Sequence, residues 1–200
     1  MQIKTFKGGY DSNFAYLVYE QDQALLIDPS VPATEILNFC KENNLNLQSV
    51  VVMHSHHDHI LGLREYQKLG IPIIAHRSIK LAVDKHVDES DQITFGKNTF
   101  TVMHTPGHRF DSLCLYNSRS KSLFTSDTLF VHGCGRVDFE GSNPNLMLDT
   151  LERIKRMPED TTVYPGHDYG PTKTSTIEIE KRMNPFLKMT REEFLKQRLG

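Results

Sequence analysis

Tryptophan is absent from the chain, cysteine is scarce, and neither sign of charge dominates. The three cysteines, Cys40, Cys114 and Cys134, form no Cys-x-x-Cys pair, which excludes a disulfide framework and a thiolate zinc finger. Lys and Arg number 23 against 25 Asp and Glu, so there is no basic footprint for nucleic acid. No apolar run approaches the roughly 18 residues of a membrane-crossing helix, and no membrane partner is expected. The opening MQIKTFKGGYDSN lacks the apolar centre of a signal peptide, so a cytoplasmic location is expected. One residue type is plentiful: ten histidines in 200 residues. That length suits one domain with a sizeable core.

Residues 14–19 and 24–27 flank a charged turn and predict a hairpin. Asp28-Pro29-Ser30 ends it, because the residue before proline is held out of the helical region. Apolar positions Ile36, Leu37, Phe39 and Cys40 predict an amphipathic helix over 33–43. Residues 49–53 predict a β-branched strand buried on both faces. A helix is expected from Ile60 to Leu69, closed by Gly70. A strand over 71–75 is expected near a sheet edge because of Pro72. Residues 78–87 read as helix. Further strands are expected over 99–104, 112–116, 122–125 and 161–164. Asn143-Pro144 predicts the start of a helix reaching Met157. Thr190 with Glu193 predicts a capping box at the head of a tail helix. The alternation of strands and helices predicts an α/β fold, with sheets inside and helices outside.

Polar clusters follow four of the apolar runs: His54, His56, Asp58 and His59, then His108, Asp127 and His167. Reactive groups on loops at strand ends are how such folds build sites. Imidazoles and a carboxylate crowded within six residues would repel as cations, or lie badly desolvated if buried. A divalent ion resolves that conflict, and neutral imidazole with ionised carboxylate suits zinc, iron or manganese. The spacing is not His-Glu-x-x-His, which presents its ligands on a helix. His104 reads as structural, and His76, His86 and His132 as ordinary surface or satisfied histidines.

The run His54-x-His56-x-Asp58-His59 is followed by Thr105-Pro106-Gly107-His108, Ser126-Asp127 and Tyr164-Pro165-Gly166-His167. As an ordered set these resemble the signature of the metallo-β-lactamase superfamily. The resemblance implies a four-layer αββα sandwich with its site at the open edge between two sheets. It implies one ion on His54, His56 and His108, a second on Asp58, His59 and His167, and Asp127 bridging them. The two divalent ions would be zinc foremost, with iron or manganese also accepted. Residues 1–172 would form the catalytic domain, and 173–200 a short C-terminal extension packed on it.

Within the superfamily the chain resembles the glyoxalase II group and the ETHE1-type persulfide dioxygenases. Gly133-Cys134-Gly135-Arg136-Val137-Asp138-Phe139 is similar to a loop both groups share. Arg136-x-Asp138-Phe139, the run from Tyr164 to Tyr169 and the tail from Ser175 to Pro185 lean towards the dioxygenases. Arg109, Asp111 and Ser112 depart from both groups beside His108. Thirty-three residues follow His167, fewer than the C-terminal helical domain of glyoxalase II enzymes occupies.

The reading placed first is a glyoxalase II-like thioesterase. In it a metal-bound hydroxide attacks the carbonyl of a small or glutathione thioester. Asp58 orients the nucleophile, and Asp127 holds the ions. Arg136 either grips an anionic substrate or pairs with Asp138. The alternative is a persulfide dioxygenase with a single iron on His54, His108 and Asp127, oxidising glutathione persulfide to sulfite. A non-catalytic metal-binding module is the third reading. The expected partner is a small thioester or thiol-derived molecule, such as a glutathione conjugate, and a homodimer is left open.

Overall fold

A computed structural model describes residues 1–199. The first half contributes β1 (Gln2–Gly8), β2 (Asn13–Glu20), β3 (Gln23–Ile27), α1 (Ala33–Glu42), β4 (Asn46–Val52), α2 (Leu63–Lys68), β5 (Ile73–His76) and β6 (Lys85–Val87). These strands form one sheet in sequence order, antiparallel up to β3 and parallel from β3 onward. The second half adds β7 (Gln92–Phe95), β8 (Asn98–His104), β9 (Leu113–Asn117), β10 (Ser122–Ser126), β11 (Leu129–Phe130), β12 (Gly133–Cys134), α3 (Pro144–Lys155), β13 (Thr162–Pro165), β14 (Ser175–Thr176), α4 (Ile177–Met183) and α5 (Arg191–Leu199). The second sheet runs β14-β13-β10-β9-β8-β7, with β11 and β12 as a small separate ribbon.

Side-chain alternation explains the layering. In β2, Phe14, Tyr16 and Val18 point one way and Ala15 and Leu17 the other, as the period of two requires. The first set meets Leu25, Val51, Met53, Phe100, Leu115 and Phe124 between the sheets. The second set packs with Val50, Val52, Ile36, Leu63 and Tyr66 beneath α1 and α2. On the far side, Leu123 and Val163 pack against Met147, Leu151, Ile177 and Phe194 from α3, α4 and α5. The result is the expected αββα order. No helix among the described residues is long and apolar enough to cross a membrane.

The helix expected over 78–87 does not form. Residues 85–87 instead pair in parallel with β5, and Arg77 N donates to Val87 O at 3.0 Å. Sheet pairing here overrides the local pattern. Strand β5 is consequently interior rather than an edge. Pro72 lies just before it, where its carbonyl accepts the Val50 amide at 2.9 Å, so its missing N–H costs the ladder nothing. The helix expected from Ile60 starts at Leu63, after a short 3-10 turn over His57–His59. Strands β1 and β7 are additions, because their runs are too polar to stand out.

The three helices of the second half start at side-chain caps. Asn143 accepts from the amides of Asn145 and Leu146, and Glu193 Oε2 accepts the Thr190 amide at 2.8 Å. Thr176 caps α4, which joins the one tail helix expected. The tail is bound to the ribbon: buried Glu180 accepts the His132 amide at 2.9 Å, and Asn184 donates to Gly133 O at 2.9 Å. Arg198 Nη2 donates to Cys134 O at 3.1 Å. Because Phe194 is fully buried in the outer core, Phe194→Ala should lower stability by about 3–5 kcal/mol. Urea unfolding checks this, and a single cooperative transition is expected in both proteins.

Candidate metal centre

Strands β4, β10 and β13 end at the same edge of the sandwich, and the loop after β8 returns there. Each delivers part of the site. The edge is held shut by backbone bonds between the sheets: Leu113 N to Met53 O and Phe14 N to Gly166 O, both 2.8 Å. Glycine is required where chains cross this closely. A Cβ on Gly166 would lie 2.5 Å from Asp127 Oδ1, and one on Gly107 would lie 2.4 Å from Met147 Cα. The 3-10 turn at His57–His59 sends Asp58 and His59 to a different side of the site from His54 and His56.

All seven expected positions come together, in two groups. His54, His56, His108 and Asp127 each offer a ligand atom within 4.8 Å of the others, and so do Asp58, His59 and His167. Asp127 lies between the groups. Its Oδ2 is 3.5 Å from His108 Nε2 and 4.0 Å from His54 Nε2. Its Oδ1 is 3.1 Å from His59 Nε2 and 3.2 Å from His167 Nε2. Asp58 Oδ2 is 3.4 Å from the Nε2 atoms of both His59 and His167.

Bonds on the outer side of the rings decide which nitrogen faces inward. His108 Nδ1 donates to Arg136 O, and His167 Nδ1 to Asp11 O, both at 2.7 Å. His59 Nδ1 meets Asp28 Oδ2 at 2.9 Å, and His54 Nδ1 meets Ser126 Oγ at 3.2 Å. Each leaves Nε2 turned to the centre, the outer support usual for ligating imidazoles. Asp28 is itself fixed, accepting Met53 N at 2.8 Å and the Ser126 hydroxyl at 2.7 Å. Asn13 Nδ2 donates to Asp58 Oδ2 at 2.7 Å.

Asp28, Asn13 and Asp11 were not expected from the sequence. Asp28 read only as a strand terminator. Its signals were an acid directly after a buried strand and, in the structure, a left-handed backbone at φ +54°.

The electrostatics divide the site. Burial and the neighbouring His59 hold His54 well below its ordinary pKa, and burial and His108 bring His56 down to about 4. Burial lowers His108 as well, against the pull of Asp127. On His59 burial opposes the proton, yet Asp127 and Asp28 outweigh it and raise the imidazole well above its usual value. Burial works against the charge of Asp127 too, but His59 and His167 hold it far below the carboxylate range.

The donors fit a metal. His54 Nε2 and Asp127 Oδ1 are buried without a hydrogen-bond partner, a costly state. His59 Nε2 stands 3.1 Å from His167 Nε2, and His108 Nε2 stands 2.8 Å from His56 Nδ1. Such nitrogen pairs need a proton or a cation between them.

The chain matches the metallo-beta-lactamase superfamily over residues 8–167. It belongs to that superfamily. A hydroxyacylglutathione hydrolase of Francisella tularensis subsp. novicida (strain U112) is 34% identical over 173 residues, spanning 84% of this chain and 68% of its own. The mitochondrial persulfide dioxygenase ETHE1 of Homo sapiens is 34% identical over 189 residues, spanning 92% and 74%. The crystal structure of ETHE1 from Myxococcus xanthus, 31% identical, superposes with a TM-score of 0.90 over all of this chain and 92% of that one. The His and Asp clusters and the metallo-β-lactamase superfamily together imply divalent metal ions.

A cavity of about 300 Å³ opens onto the centre, lined by Tyr10, Phe130, Arg136, Phe139 and Tyr169 beside the metal-side residues. Arg136 is here, forked onto Asp138 at 2.9 and 2.6 Å and lying 4.3 Å from the Phe139 ring centroid. Arg109 is not. It reaches away to Glu140 O at 2.9 Å and, with Asp111, lines a separate cavity. Asp28 touches no substrate space, so Asp28→Asn should leave the fold intact and weaken metal retention roughly 10–100-fold. Competition with a chromophoric chelator checks it.

Proposed function

We propose that this chain is a metal-dependent thioester hydrolase of the glyoxalase II kind, with two divalent ions. His54, His56 and His108 would hold one, Asp58, His59 and His167 the other, and Asp127 both. The observation that carries the reading is the division of Asp127, whose two oxygens face different triads. Two ions would each find one of those faces. The donor set suits zinc foremost, and iron or manganese as well. Residues 173–200 would serve as an extension of the same domain.

Bound there, divalent ions supply Lewis acidity towards a carbonyl oxygen and make a water acidic near neutral pH. The chain's own residues do the rest. Asp58 stands on the cavity side with Oδ2 pinned by Asn13, placed to orient the attacking water and take its proton. Phe130, Phe139 and Tyr169 give the cavity an aromatic wall for the apolar part of a substrate. Asp138 engages Nε and Nη2 of Arg136, and Nη1 remains to meet a substrate carboxylate. A thiolate leaves without a strong general acid, and none is needed here. The likeness to a hydroxyacylglutathione hydrolase supports the thioester as substrate.

The second reading, a persulfide dioxygenase with one iron on His54, His108 and Asp127, is favoured by the match to ETHE1 proteins over nearly the whole chain. Metal analysis of the protein as purified, paired with two assays, decides. Near two equivalents of metal with hydrolysis of a hydroxyacylglutathione is the expected result. One iron, with oxygen consumed on addition of glutathione persulfide, overturns the proposal.

Arg136→Ala should raise KM for an anionic thioester by about tenfold or more with kcat little changed, the signature of lost uniform binding. Steady-state kinetics checks it, and an unchanged KM would leave Arg136 as the partner of Asp138 alone.

A further inference from the structure

Beside the metal centre lies a second cavity, of about 350 Å³, lined by Ser55, Ser78, Lys80, Arg109, Phe110 and Asp111. The two cavities adjoin. His56 and His108 line the one over the centre, and their chain neighbours Ser55 and Arg109 line this one. Consecutive Cα atoms are about 3.8 Å apart, so little more than the ligand-bearing backbone stands between them. On another rim Phe139 lines the first cavity and Gly141 the second. Arg109 and Asp111 are also positions beside His108 at which the sequence departs from both groups it resembles.

This cavity carries both signs of charge, and neither is answered. Asp111 is 6% exposed. Its Oδ1 is buried without a hydrogen-bond partner, and among the described residues its carboxylate makes no ion pair. A carboxylate so enclosed is costly unless something donates to it. Arg109 Nη1 donates to Glu140 O at 2.9 Å, and Nη2 lies 3.4 Å from Ser55 Oγ. These contacts fix the guanidinium and leave it donors to spare. Neither Arg109 nor the exposed Lys80 makes an ion pair among the described residues. An anion alone would be repelled by Asp111, and a cation alone by Arg109 and Lys80. A ligand carrying both charges close together meets all of them. Phe110, 56% exposed, adds an apolar face for the carbon chain behind those charges.

We propose that this cavity binds an α-amino acid zwitterion, the γ-glutamyl end of a glutathione-derived substrate whose sulfur lies over the metal centre. The inference rests on the glutathione chemistry of the proposed function. Asp111 takes the α-ammonium, and Arg109 and Lys80 take the α-carboxylate, through charge-assisted hydrogen bonds. The glycyl carboxylate at the other end of the tripeptide is left for Arg136. Specificity then lies in the thiol carrier, and the group attached to its sulfur is free to vary.

The test is calorimetric titration of the metal-loaded protein with S-methylglutathione, an inert thioether. Two analogues accompany it: the glutaryl peptide, which lacks only the ammonium, and the 4-aminobutanoyl peptide, which lacks only the α-carboxylate. The wild type is expected to bind the parent about tenfold or more tightly than either analogue. Asp111→Asn should bind the parent and the glutaryl peptide alike, and Arg109→Gln the parent and the 4-aminobutanoyl peptide alike. Circular dichroism verifies folding. Lys80→Ala, at an exposed position, weakens the preference for the α-carboxylate even if the other variants fail to fold. Equal binding of the three peptides by the wild type, or no binding, overturns the site, as do folded variants that keep both preferences. Free glutamate binding as tightly as the parent overturns the link to the substrate. The titration does not depend on turnover. Absent hydrolysis of a hydroxyacylglutathione would overturn the thioesterase reading and leave these preferences, and the site, standing.

Discussion

A buried carboxylate with imidazoles against both of its oxygens is the constraint on which the rest of this structure depends. Asp127 cannot stay ionised out of water unless positive charge meets it. Two of its imidazole neighbours are driven towards protonation and two away from it. On four of the five imidazoles the inward nitrogen is set by a bond facing outward, so the burden of orientation passes to Asp28, Ser126 and the carbonyls of Asp11 and Arg136. The site is thus a charge problem solved in two layers. The inner layer supplies donors, and the outer one sets their tautomers.

The outer layer also joins the two sheets. Ser126 ends β10 in the second sheet and donates to Asp28, which follows β3 in the first. Tyr16 Oη reaches Pro165 O across the same interface at 2.7 Å. The apolar contacts between the sheets supply most of the stabilisation. These polar links fix the relative position of the sheets at the edge where error is least tolerable, since a displacement of about 1 Å there would misplace reacting groups.

The inner layer was legible in the sequence because its residues follow apolar runs directly and in a specific order. The layers of the fold were legible for a related reason: the continuous apolar run at 49–53 marks a strand buried on both faces, and the run at 14–19 marks an arm of the hairpin beside it. Asp28 and Asn13 were not legible. Nothing local distinguishes an aspartate that ends a strand from one that also grips an imidazole 31 positions on, since only the packed sheets bring them together. The segment 78–87 misled because its composition permits a helix, while the open edge of β5 offers residues 85–87 a better partner. Arg136 forms the pair with Asp138 that was one of the two roles weighed for it, and it does so while lining the cavity.

The tail gives the ribbon of β11 and β12 a further meaning. Glu180, Asn184 and Arg198 hold that ribbon from behind, and Arg198 grips Cys134. Two residues later, the carbonyl of Arg136 sets the proton on His108. The last helix and an imidazole at the centre of the site are therefore neighbours in mechanical terms, separated by one short, clamped hinge. A change in the last helix that touched neither metal nor substrate would still reach the imidazole, by slackening the backbone that aims it.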